Sequence, residues 1–127
     1  MQRTEAEPLV NDSVAILAAI LTHSDLQGFY HRDTHPERFP LQIIDAANAG
    51  LTTVPDSDKT GVPAVLVAKG DAPDPGHASL IIDTFTLSSD MAKVAFRFPV
   101  EGLAGTATLA KDHAKGWTIN NMRLVEQ

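Results

Sequence analysis

Hydrophobic and polar positions along the chain fall into two regimes. Between residues 12 and 24, Val14, Leu17, Ile20 and Leu21 recur at helical spacing, with Ala15, Ala18 and Ala19 small enough for close approach to a sheet. Asn11, Asp12 and Ser13 precede this run, and each can accept a hydrogen bond from a free backbone N–H at a helix start. The pattern predicts one helix over about 12–24, with His23 complementing the C-terminal dipole and Gly28 ending it. Residues 1–10 show no such pattern and are expected to be flexible.

The second regime has a period of two. "LQIID" at 41–45 reads as a short strand, followed by a punctuated surface loop over 46–61. From residue 62 the chain reads "VPAVLVAK", "ASLIIDTFTL", "AKVAFRFPV", "GTATLAK" and "WTINNMRLVE", separated by Gly, Asp and Pro turn chemistry. That succession predicts an antiparallel meander. In 92–100, Ala92, Val94, Phe96, Phe98 and Val100 point one way, while Lys93, Ala95, Arg97 and Pro99 point the other. Pro99 cannot donate to a ladder, so a bulge or bend is expected there, reinforced by Gly102 and Gly105. Trp117, Ile119 and Val125 are out of simple register with Met122 and Leu124, which places a bulge near Asn120 and Asn121. The predicted fold class is α+β, with one N-terminal helix packed on a strongly curved antiparallel sheet of five to six strands.

A length of 127 residues bounds this to a single domain. Apolar residues at 43 % and charged residues at 20 % exclude a disordered chain. The formal net charge of −6, with only 10 dispersed Lys and Arg, excludes non-specific nucleic-acid binding and suits a basic protein partner. With no Cys there are no disulfides, thiolate metal sites or thiol nucleophiles. "VAILAAIL" at 14–21 is far short of the ~20 residues of a membrane span. The N-terminal stretch carries no signal-peptide pattern. These features lead to the expectation of a soluble, cytoplasmic protein without a membrane partner.

The run from Phe85 to Glu126 resembles the closing hairpins of cone-shaped domains similar to nuclear transport factor 2. Ala92, Val94 and Phe96, the bend at Gly102, Leu109 with Lys111, and Gly116-Trp117 with Ile119 carry that resemblance. A smaller cystatin-like arrangement, one helix embraced by a meander, matches equally. The resemblance implies a superfamily that includes ketosteroid isomerase-like and dehydratase-like enzymes, ligand binders, transport adaptors and immunity proteins. It also implies a homodimer through the sheet face, to which the apolar content of both faces of "SLIIDTFTL" contributes.

Candidate chemistry lies in two places. "GFYHRDTHPERFP" at 28–40 alternates His31, Asp33 and His35, with Glu37 next in phase, which in an extended segment offers zinc-like ligands. Its Pro and Arg residues favour a solvated connection instead, so no metal and no cofactor is expected. On the sheet, Asp83 amid apolar neighbours would have a raised pKa and serve as an acid–base group with Tyr30 or His31, while alternation equally allows it to point outward from a half-exposed strand. Arg97 and Arg123 offer two cations to an anionic ligand. No phosphate loop, nucleophile elbow or dinucleotide fingerprint is present. The leading expectation is non-enzymatic binding of a protein partner or small ligand, an immunity-like role included, with a small ketosteroid isomerase-like or dehydratase-like enzyme as the alternative.

Overall fold

The computed structural model describes residues 6–30, 34–68, 70–112 and 116–126. The main helix, α1, spans Ala6–Leu21, followed by the single turn α2 at Ser24–Gln27. The helix thus begins six residues before the expected start. Pro8 sits in its first turn, where a missing N–H costs no intrahelical bond, so Asn11, Asp12 and Ser13 lie inside the helix and do not cap it. His23 is an N-cap of α2: its Nδ1 accepts from the Asp25 N–H at 3.1 Å. That bond uses the ring as an acceptor, in place of the dipole role expected for it.

The strands are β1 (Leu41–Asp45), β2 (Ala64–Leu66), β3 (Ser79–Leu87), β4 (Met91–Phe98), β5 (Leu103–Asp112) and β6 (Gly116–Glu126). They form one six-stranded sheet in the order β2-β1-β3-β4-β5-β6. The meander from β3 to β6 is antiparallel as expected, but β1 runs parallel to both β2 and β3, so the sheet is mixed. Parallel neighbours need a long crossover, and the 46–63 connection, with the turn α3 (Ser57–Thr60), supplies it. The run expected to open the meander therefore does not do so; its β2 provides the far edge. The sheet is open, with β2 and β6 at its edges.

The inner face carries Leu41, Ile43, Leu80, Ile82, Val94, Phe96, Phe98, Ala107 and Leu109, all essentially inaccessible. Ile16, Leu17, Ile20, Leu21 and Leu26 from the two helices close over them. Burying a side chain of this size stabilises by about 1.5–3 kcal/mol, so this layer dominates the fold's stability. Trp117 joins the core and donates its Nε1–H to Asp12 at 3.1 Å, tying β6 to α1. The crossover is not wholly solvated, since Leu51 and Val54 pack on the core and Pro55 is buried.

Strand β4 keeps its alternation through Phe98 and then turns through Pro99–Glu101, ending at Gly102 with φ 65°. Gly is suited to that left-handed conformation. Val100, expected inward, falls in this turn and is exposed. In β5, Gly105 lies under the Phe96 ring: a Cβ there would meet Phe96 Cε2 at 2.7 Å and Leu124 Cδ2 at 2.8 Å. The expected bulge is at Asn120, since Thr108 pairs with Asn121 and Leu109 with Ile119. A second bulge falls at Asp83, between the pairs Ile82–Phe96 and Thr84–Ala95.

Candidate functional site

Tyr30 is locked into the core by its surroundings. Its hydroxyl donates to the Leu21 carbonyl at 2.8 Å, satisfying an acceptor left free at the C-terminus of α1. Its ring meets Phe39 and Phe98 edge-on, at 5.7 and 5.9 Å between centroids. Burial raises the phenol's pKa far above its ordinary value, which keeps it a neutral donor. A few residues on, His35 Nδ1 lies 3.1 Å from Glu37 Oε2, and Arg38 Nη1 donates to Glu101 at 2.8 Å, fastening the connection to the turn after β4. His31 and Asp33 lie outside the described residues. Among the described residues no three His, Asp or Glu side chains are grouped to hold a metal ion.

Asp83 does not sit among apolar groups. As the bulge residue it shares the outer face of the sheet with Arg97, whose Nε and Nη2 donate to its two carboxylate oxygens at 2.7 and 2.8 Å. The raised pKa expected of it is reversed: the Arg97 hydrogen bonds hold the carboxyl below its ordinary value, desolvation opposes them, and the guanidinium charge adds to the lowering. Tyr30 packs on the inner face, so the sheet separates it from Asp83 and the two make no acid–base pair. Arg123 shares the outer face with Arg97, but β5 lies between: Arg97 pairs with Ala104, and Arg123 with Thr106. Strand spacings put their Cα atoms on the order of 12 Å apart, so they do not converge on one small anion.

A concavity lies elsewhere, where the carboxyl ends of β1 and β2 run into their connections. It is a half-open cleft of about 780 Å³. Ile44, Leu51, Leu66, Val67 and Pro73 form apolar walls, and Asp45, Asn48, Thr52 and Asp71 bring polar groups. Asp45 builds one wall itself. Its Oδ1 accepts from the Ala49 N–H at 2.9 Å, and its Oδ2 from Gly50 and Leu51 at 3.0 and 3.2 Å. Three amides around one carboxylate fold residues 45–51 into a tight loop, with Asn48 and Gly50 at φ 55° and 77°.

The opposite wall is held by Gln42, the buried polar residue of β1. Its Nε2 donates to the Asp74 carbonyl at 2.8 Å and its Oε1 accepts from the Asp74 N–H, pinning the connection between β2 and β3. Neither Gln42 nor Asp45 figured among the residues expected to matter. Their signal was a polar side chain within, and at the end of, an otherwise apolar strand, flanked by connections too long for hairpins. No Lys, Arg or His is among the described residues lining the cleft. The segment 45–74 carries Asp45, Asp56, Asp58, Asp71 and Asp74 against Lys59 and Lys69. Lys69 lies outside the described residues.

Comparison with known proteins finds no matching family model, no matching curated protein and no matching solved structure.

Proposed function

We propose that this protein is a non-enzymatic binding module, and that the cleft at the carboxyl ends of β1 and β2 receives a ligand with an apolar body and a cationic head. A basic side chain of a partner protein has this chemistry, as does a small organic amine. The observation that carries the reading is the lining itself: apolar residues share it with Asp45 and Asp71, and no described lining residue is cationic. A cleft of this size lies within the ordinary range for small-ligand sites. An acidic chain also steers basic partners toward encounter.

A binding role is supported further by the state of the acid–base candidates. Asp83 is ionised and engaged by Arg97, and the Tyr30 hydroxyl is committed to Leu21. A resident general base needs a free lone pair near a bound substrate, and neither group offers one toward the cleft. The likeness to nuclear transport factor 2 or to cystatins, with the strongly curved sheet it implies, belongs to the same reading; the helix packed on a four-strand meander and the two bulges support it.

The test is titration calorimetry with phenethylamine, its neutral isostere and the matching carboxylic acid. The reading expects binding of the amine alone, weakened about tenfold by Asp71→Asn, a loss in the range measured for a hydrogen bond to a charged group. Equal binding of all three probes, or of none, contradicts it.

A further inference from the structure

The two edges of the sheet differ in how they are protected. Edge strand β2 has three residues and follows Pro63, both of which limit pairing with another chain. Edge strand β6 has eleven residues and no Pro. Among the described residues its backbone pairs with β5 and with no other element. The bulge at Asn120 interrupts it, leaving Asn121–Glu126 as the regular stretch. In that stretch Met122 and Leu124 point inward and are partly buried, while Asn121, Arg123 and Val125 are exposed on the outer face.

We propose that residues 122–126 pair antiparallel with the same segment of a second copy, joining the two sheets edge to edge. This differs from the dimer through the sheet face that the resemblance implied. A second copy suits the edge because a twofold axis can set the partly buried Leu124 against its own equivalent, and continues each inner layer into the next. A closed pair also ends the row of open N–H and C=O groups, which would otherwise template unlimited association.

Face alternation narrows the register. Residues directly opposite each other share a face, so a twofold pairing must place one residue opposite itself. Centring on Met122 brings the Asn120 bulge against Leu124. Centring on Arg123 sets two guanidinium groups face to face, and centring on Val125 leaves too little strand. Centring on Leu124 remains, with Leu124 against Leu124 and Arg123 against Val125 of the other copy. The ligand cleft lies at the opposite edge, so pairing through β6 leaves it open in both copies and the two proposals stand or fall separately.

The chain has no cysteine, which makes cross-linking decisive. In the full chain carrying Arg123→Cys and Val125→Cys together, mild oxidation is expected to give a covalent dimer through two symmetric disulfides. Each single variant is expected to give at least tenfold less, since its one thiol faces no thiol. Native mass spectrometry of the unaltered protein is expected to show a dimer, and Val125→Lys, at an exposed position, to raise its dissociation constant at least tenfold. A monomer across the micromolar range overturns the proposal. So does a dimer that the double-cysteine protein fails to lock.

Discussion

Tyr30→Phe separates a structural tyrosine from a catalytic one. The substitution keeps the ring between Phe39 and Phe98 and removes only the hydroxyl that donates to the Leu21 carbonyl at 2.8 Å. That carbonyl lies at the end of α1, among residues closed off from water, and no other described donor reaches it. Losing the donor leaves a buried acceptor unsatisfied, at a cost of about 1–3 kcal/mol. For a domain of this size each kcal/mol moves the melting temperature by roughly 3–5 °C, so a fall of about 3–15 °C is expected. Urea unfolding followed by the fluorescence of Trp117, the sole tryptophan, gives the free energy directly. The midpoint should drop with an unchanged slope, since the surface exposed on unfolding is nearly the same. Full wild-type stability in Tyr30→Phe would refute the reasoning and return the hydroxyl to the candidates for chemistry.

Further outcomes follow from other contacts. Gly105→Ala should destabilise by about 1–3 kcal/mol, because its Cβ has no room beneath Phe96 and Leu124; urea unfolding checks this, and a neutral result would mean that the ring shifts freely. Gln42→Ala should cost a similar about 1–3 kcal/mol by leaving the Asp74 amide unpaired, and should speed proteolysis of the 67–78 connection well before global unfolding. Asp83 has a lowered pKa in the folded state, so its contribution is complete above the unfolded value near 4 and fades as pH falls through the folded value. Asp83→Asn should therefore flatten the acid side of the stability–pH curve below about pH 4, and an unchanged acid limb would contradict the Arg97 pairing.

How far the sequence discloses this arrangement depends on the residue. The meander is legible because Ala92, Val94, Phe96 and Phe98 alternate cleanly, and the slip between Ile119 and Met122 marks the Asn120 bulge. The same signal was present in β3, where Leu80 and Ile82 change phase to Phe85 and Leu87, and it marks Asp83 as the extra residue. With that shift of phase, Asp83 belongs to the outer face with Arg97 and loses its apolar setting. Strand direction was not legible. Alternation is the same in parallel and antiparallel pairs, and only the length of the 46–63 connection argued for a crossover. The cleft was hidden for the same reason: it exists because β1 and β2 end side by side, which no local pattern records. The helix start was missed because Pro8 looks like a break, although in a first turn it is well tolerated.

Binding of a cationic group in the cleft is tested most directly by amide chemical-shift mapping of the full chain against a short arginine-bearing apolar peptide. Saturable shifts confined to Asp45–Thr52 and Leu66–Asp71 are expected, abolished or strongly weakened in Asp71→Asn. Shifts centred on Asp83, Arg97 and Arg123, or none at millimolar peptide, would contradict a cation-binding cleft.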